Sequence, residues 1–424
     1  MRKTVSLALT FVCLCLFSAF SAWQGYRADG WKRRVEEMHR GTLLSALTQM
    51  ESMQYALQKA MLSQDANAGD YYLSHVSEGA GQVQRSLSLL PLSHPDTMQA
   101  IKLTNQLSAY ARTLMEQESL SPSDTAQLSA LIDTCRACTR SLMAQQETLT
   151  LSSSLPPFYP EGQTEAFDSA VSYPTLIYDG PFSDARQDRE PNLSAQQEIT
   201  WEEAARIARS CIGENRVLSV SPGAALQGPT PCHGVTLHLQ DITLEAAVTR
   251  QGGKMLWITP DNGAFPCLVT IEECKKAALL FLERNGYGPM ESTYFQVYEG
   301  MAVVSFAPVQ GDVLLYPDLI KVQLRMDTAE VVGMEAKNYL IHHRARSALR
   351  PSLTQGQALE KVSPLLQVSG SRLCLIPKDE EEILCYEFSC TWQDAQFLLY
   401  INAFSGAQEE LLQVVESATG LETV

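Results

Sequence analysis

Histidines are few, seven in 424 residues, and none stands at a spacing that chemistry requires. His39, His75, His94, His233, His238, His342 and His343 include no H-E-x-x-H pair and follow no catalytic order with a carboxylate. G-x-S-x-G, S-x-x-K, a Walker loop and G-x-G-x-x-G are absent too, which leaves no acyl-transfer or nucleotide site to read. Gly286-Tyr-Gly288 reads as a helix-ending turn. Carboxylates paired for glycoside hydrolysis are a three-dimensional property, and nothing in the sequence argues for them. No catalytic, cofactor-binding or metal-ligating residue is assigned.

Positive charge is also short. The net charge is −16, and because residues 1–150 are neutral, all of it lies after residue 150. Such a balance repels a phosphate backbone, so nucleic acid is not a partner. The run Asp379-Glu-Glu-Glu382 lacks the alternating spacing of a calcium loop and reads as a solvated turn. Eleven cysteines form no disulfide pattern. Most sit in apolar stretches, as buried thiols do. Cys135-Arg-Ala-Cys138 falls on an apolar helical stripe, with no strand before it and no histidine at ligand spacing, so it reads as core.

Only one hydrophobic run is long. After a tail of residues 1–4, Val5–Trp23 has 19 residues without a charge, enough to cross a bilayer as a helix. Trp23, Tyr26 and Trp31 follow it, where interfacial aromatics belong. The reading is a transmembrane anchor over 5–23 with the bulk of the chain on the extracytoplasmic side. A cleavable signal peptide is the rival, since Ala19-Phe-Ser21 loosely fits a cleavage site.

Residues 32–150 show helical periodicity: Leu43, Leu47, Met50, Leu57, Met61; Val76, Val83, Leu87, Leu90; Leu103, Leu107, Tyr110, Leu114; Leu128, Leu131, Cys135, Cys138, Leu142. Breaks at Asn67-Ala-Gly69, Pro91–Pro95 and Ser119–Ser123 predict four helices in an antiparallel bundle, with Pro122 opening the last. Residues 151–199 read as a linker, interrupted by Tyr173-Pro-Thr-Leu-Ile-Tyr-Asp-Gly-Pro-Phe-Ser-Asp184. Its aromatic turn, Tyr178, Asp179, Gly180, Pro181 and Phe182, either docks on a neighbouring domain or binds a partner.

Beyond residue 199 a pattern repeats three times. Thr200-Trp-Glu-Glu203, Thr270-Ile-Glu-Glu273 and Thr354-Gln-Gly-Gln357 are capping boxes, each opening an amphipathic helix. The third stripe is Ala358, Val362, Leu365. Alternating strands follow: Val235, Leu237, Leu239; Ile320, Val322, Leu324, Met326; Leu384, Tyr386, Phe388, Cys390, Trp392. Gln251–Lys254, Asp327–Glu330 and Phe404–Ala407 fit closing hairpins. The fold class is α+β, with three tandem units of a helix on an antiparallel sheet, at 200–262, 266–345 and 352–424.

The hairpin ending Asp327-Thr-Ala-Glu-Val331 resembles the PepSY domain, and Pro174–Asp184 is similar to the most recognisable stretch of the YpeB family of spore-germination proteins. The first and third units depart from the PepSY consensus at their closing turns. This resemblance implies a non-enzymatic protein at the inner spore membrane, single-pass, required for germination. It also implies a partner, a cortex-lytic hydrolase of the SleB type, held and restrained for cortex peptidoglycan hydrolysis. No cofactor is implied. An extracytoplasmic ligand sensor and a secreted hydrolase inhibitor are the alternatives.

An anchor held by 19 apolar residues should fractionate with membranes and resist high-salt extraction. Soluble recovery of a chain lacking residues 1–21 would overturn the anchor.

Overall fold

The computed structural model describes residues 31, 34–35, 37–90, 95–115, 117, 120–146, 182, 191, 193, 195–224, 230–261, 264–347, 349–378, 381–417 and 420–423. The run 5–23 lies outside them. Among the described residues no helix is long and apolar enough to cross a membrane. The chain divides into a helical region and a sheet region.

Among the described residues four helices form the helical region: α1 (37–62), α2 (Ala66–Ser88), α3 (Pro95–Met115) and α4 (Pro122–Gln146). The predicted stripes form its core, with Leu47, Met50, Val76, Val83, Leu107 and Leu128 all but sealed from solvent, except that Tyr110 and Leu131 are only half-buried and Ile132 is buried beside the latter. Cys135 and Cys138 lie inside it as well, and burial pushes the Cys135 thiol up to about 12. Cys135 Sγ reaches Met50 O at 3.7 Å, which sets α4 beside α1. Arg112 Nε donates to Ser77 Oγ at 3.2 Å and joins α3 to α2. Ser121 caps α4: its Oγ accepts from the Asp124 amide at 3.2 Å, and its own amide donates to Asp124 Oδ2 at 2.9 Å.

One predicted break was misplaced. The first two helices part at 63–65, and Asn67-Ala-Gly69 lies inside the first turns of α2. Asp65, a favoured capping residue type, stands just before Ala66. A glycine inside a 23-residue helix costs only about 1 kcal/mol, too little to end it.

In the sheet region the three capping boxes are all made, at Thr200, Thr270 and Thr354. They open α5 (Trp201–Ile212), α6 (Ile271–Arg284) and, after α7 (Lys337–His342), α8 (Gln355–Leu359). The third helix was expected to continue to Leu365, but it stops after five residues. Gly356 weakens it and Pro364 forbids its extension. Val362 is still buried, whereas Leu365 is 39% exposed.

The first repeat supplies β1 (Ser219–Pro222), β2 (Cys232–His238), β3 (Thr243–Thr249) and β4 (Met255–Pro260). The second supplies β5 (Met290–Tyr298), β6 (Met301–Gln310), β7 (Val313–Leu315), β8 (Ile320–Arg325) and β9 (Val331–Glu335). The third supplies β10 (Gln367–Lys378), β11 (Glu381–Trp392), β12 (Ala395–Asn402), β13 (Gln408–Ser417) and β14 (Gly420–Thr423). The expected tandem units are not separate sheets. All fourteen strands join in the order β1-β2-β3-β4-β9-β8-β6-β5-β14-β13-β12-β11-β10-β7, and β7 also pairs with β6. Edge strands present unpaired amides and carbonyls, and pairing between repeats satisfies them.

Because β7 turns back to β6, eight strands form a closed ring: β5, β14, β13, β12, β11, β10, β7 and β6. Its β10–β7 seam is parallel, and among the described residues its β14–β5 seam pairs Gly420 with Gln296. The helices α5 and α6 cover one face of the first two repeats, where Val235, Leu237, Ile320, Val322 and Leu324 share one core. Lys321, Gln323 and Arg325, which alternate with them, are buried on the other face. In this stretch the sheet has no solvent side.

The hairpins place glycines with unequal room. At Gly300 φ is +74° and an added Cβ would lie 1.6 Å from Phe265 O; at Gly311 φ is +63° with nothing within 4 Å. Gly311→Ala should therefore lose only the left-handed penalty, about 1–2 kcal/mol. Gly300→Ala must also displace backbone and should lower the thermal midpoint markedly more. Equal midpoints for the two variants would contradict this packing.

Candidate functional site

Of the residues singled out in the aromatic turn, Tyr178, Asp179, Gly180 and Pro181 lie outside the described residues. Phe182 is described. It is half-buried with φ at +62°, a left-handed conformation rare for a bulky residue. Its ring packs edge-on against Tyr316 and Tyr400, at 5.2 Å from each. Tyr316 opens a short turn, Tyr316–Asp318, that Pro317 helps to set after β7. Tyr400 comes from β12. The dock for Phe182 is thus built by the second and third repeats together.

Beneath it the ring interior holds charge. Register places Arg372, Glu387 and Tyr400 in one row across β10, β11 and β12. Arg372 Nε donates to Glu387 Oε1 at 2.7 Å and its Nη2 to Tyr316 Oη at 2.9 Å, while Tyr316 donates to Glu387 Oε2 at 2.5 Å. Burial alone would lower Arg372, but Tyr316 and Glu387 outweigh it and hold the guanidinium charged. Burial raises both tyrosines well above their usual range.

A second polar cluster sits at the same junction. Arg346 lies between two carboxylates: Asp318, fully buried, from the second repeat, and Glu382, 11% exposed, from the third. It donates to Asp318 at 2.7 and 2.9 Å and to Glu382 at 2.8 and 2.9 Å. The Gln310 amide clasps the Arg346 backbone, donating to its carbonyl at 2.6 Å and accepting from its amide at 3.1 Å. Glu382 was expected in a solvated turn. Instead Arg346 and Arg344 draw it in, and a carboxylate so placed is no longer free surface charge. Burial raises its pKa, yet the bonds and charge of Arg346 prevail and leave it below the usual range.

His343 Nδ1 lies 2.9 Å from Asp318 Oδ2, and its ring stacks on Tyr339 at 4.1 Å. Sequence spacing concealed this pair, since 25 residues separate its members. At the first junction Arg325 binds Asp327 through two bonds of 2.6 Å and Asp241 of the first repeat through another of 2.6 Å, with Phe265 under the guanidinium at 4.4 Å. Asp327 opens the Asp-Thr-Ala-Glu-Val motif, so the motif's acid has a structural task. Its bond to Arg325 lowers it below the usual carboxylate range. Among the described residues no group of three or more His, Cys, Asp or Glu side chains could hold a metal ion.

Could sequence have found these groups? Glu387 gave the one signal, a lone acid in the apolar strand Ile383–Cys390, which marks a strand buried on both faces. Tyr316, Arg346 and Arg372 gave none.

A helical region followed by capped helices on one shared sheet, with the charged groups paired inward, defines an α+β repeat scaffold. The family model "YpeB N-terminal" matches residues 30–152, and "YpeB sporulation, PepSY1 and PepSY2 domains" matches 162–349. The chain belongs to the YpeB sporulation family. The "Sporulation protein YpeB" of Halalkalibacterium halodurans is 30% identical over 246 residues, covering 56% of this chain and 54% of that one. The Bacillus subtilis protein of that name is 31% identical over 167 residues, 39% of this chain and 37% of that one. The Oceanobacillus iheyensis protein is 24% identical over 222 residues, 52% and 49%. The chain thus spans about half the length, or less, of the curated relatives it matches. The solved C-terminal domain of YpeB from Bacillus megaterium, 25% identical, covers 51% of this chain and 98% of its own, with a TM-score of 0.46.

Arg346→Met should remove the shared guanidinium, leaving Asp318 only His343 and Glu382 only Arg344, and destabilise the sheet region by about 3 kcal/mol. The sign of the pH dependence follows from Glu382. Its folded pKa is depressed, so its contribution is complete above the unfolded value of 4.5 and is lost as pH falls through the folded one. Thermal midpoints taken from pH 6 down to pH 3 should fall for the natural chain and flatten in the variant. A parallel fall in both would refute the clamp.

Proposed function

We propose that the protein acts in germination without catalysis, holding and restraining a spore cortex-lytic hydrolase of the SleB type. Residues 5–23 anchor it to the inner spore membrane, with the bulk of the chain outside. Membership of a sporulation family gives the setting. The observation that carries the reading is the inward pairing of its reactive groups. Burial holds the thiols of Cys374 and Cys385 far above the range of a nucleophile. Arginines hold Glu382 and Asp327 ionised, so neither keeps a proton to donate near neutral pH. Such groups stiffen a scaffold, and a stiff scaffold presents a surface without paying its ordering entropy on binding.

A bound hydrolase is shielded from unfolding and proteolysis by mass action alone. Deleting either protein should therefore deplete the other in spores. Normal hydrolase levels in spores lacking this chain would refute the holding role. The aromatic turn divides by variant. Phe182→Ala should lower the thermal midpoint, because Phe182 packs on Tyr316 and Tyr400. Tyr178→Ala should weaken co-purification of the hydrolase if the turn also meets the partner. Unchanged co-purification would remove Tyr178 from the interface.

A further inference from the structure

Strand β10 is open along part of one edge. On one side β11 pairs with it from Gln367 to Lys378, but on the other β7 reaches only Leu373–Leu375. Among the described residues no strand continues that lane beside Gln367–Ser371, and all five of these residues are exposed. One bond fixes which way the backbone faces. The Ala403 amide donates to Leu384 O at 2.8 Å, so Leu384 turns its polar groups toward β12. Successive residues of a strand turn opposite ways, so Cys385 and its register partner Cys374 turn toward each other. Leu373 and Leu375 then turn toward β7, and Ser371 turns the same way. Its amide and carbonyl face the open lane.

Sheet edges are normally guarded by charge, proline or a cover, because an open edge pairs with extended chains. Gln367-Val-Ser-Gly-Ser371 carries no charge and no proline. Its one guard is a bulge at Ser369, whose hydroxyl donates to Ser389 O at 3.1 Å, and Gly370–Arg372 keep regular register beyond it. Exposed Leu365 and Val368 add apolar surface at the outer end. Acid gathers at the inner end. Asp312, exposed, stands in the β6–β7 turn one residue before Val313, the register partner of Leu373. Glu291, 57% exposed, lies 3.7 Å from Arg372. Arg372 is already held by Glu387 at 2.7 Å, so the two surface acids leave this end of the lane negative.

We propose that this lane takes up an extended, basic segment of the hydrolase as an added strand, an inference that rests on the holding role proposed above. The added strand continues the lane of β7 outward from Leu373, accepting from the Ser371 amide and donating to its carbonyl. A lysine or arginine at its inner end meets Asp312 and Glu291. Backbone bonds supply affinity whatever the side chains, and the acids select the partner by charge. A second copy of this chain fits less well, because it brings the same excess of acid.

The test uses the full chain and a purified hydrolase of the SleB type, with binding followed by titration calorimetry. Ser371→Pro removes the outward amide, which bonds nothing in β11, and an edge strand tolerates proline. Ser371→Ala is its control, losing only the hydroxyl that accepts from Gln355 Nε2 at 2.5 Å. The proline variant should bind about tenfold more weakly than the alanine variant, with the same thermal midpoint. Asp312→Asn combined with Glu291→Gln should also weaken binding and reduce its salt dependence. Amide exchange of the natural chain needs no variant: Ser371 should gain protection when the hydrolase is added. Undiminished binding by Ser371→Pro, or unchanged exchange at Ser371 in the bound complex, would overturn the lane and leave the holding role standing. No binding by the natural chain would overturn both. A dimer of this chain that Ser371→Pro abolishes would give the lane to a second copy and overturn the proposal.

Discussion

Each junction between repeats is held by a guanidinium set between carboxylates from its two sides, and the joined sheet depends on both. Arg325 links Asp327 of the second repeat to Asp241 of the first. Arg346 links Asp318 of the second to Glu382 of the third. The two differ in weight. Asp241 is 56% exposed, so water screens its limb, whereas Asp318 is fully buried and Glu382 nearly so. A buried pair gains little net stability over an apolar packing of equal volume, but it tolerates only one geometry. Direction, not strength, is what Arg346 gives the second junction.

That direction makes the ring. With Asp318 and Glu382 fixed on one guanidinium, β7 can run parallel to β10 while it pairs with β6 on its other edge. Strands that would have faced water then face each other, and Tyr316 and Tyr400 meet as the seat for Phe182. The seat exists only when both repeats are in place, so Phe182 reports on the whole junction and not on one repeat. Such interlocking keeps the surface of the joined repeats from drifting repeat by repeat.

Local chemistry was legible in the sequence wherever neighbours along the chain decide the outcome. The capping boxes at Thr200, Thr270 and Thr354, the Ser121–Pro122 start and the turn at Asp327–Glu330 each close within a few residues. All of them stand as read. The helical stripes were equally plain, because a helix repeats its buried face every 3.6 residues. The break at Asn67–Gly69 was misread because glycine marks a stop only when context agrees. The stub at Gln355–Leu359 was overextended because Val362 and Leu365 mimic a stripe that Pro364 cannot sustain.

What the sequence by itself determined was the four bundle helices, the three capped helix starts and, through Asp327–Val331 and Pro174–Asp184, the family. Periodicity and capping act over four residues or fewer, so a single chain displays them openly. Only the tertiary structure decided how the repeats join. Arg346 lies 28 residues from Asp318 and 36 from Glu382, and Arg372 lies 56 from Tyr316. Ion pairs at that separation leave no periodicity, because charge acts through space and is blind to spacing along the chain.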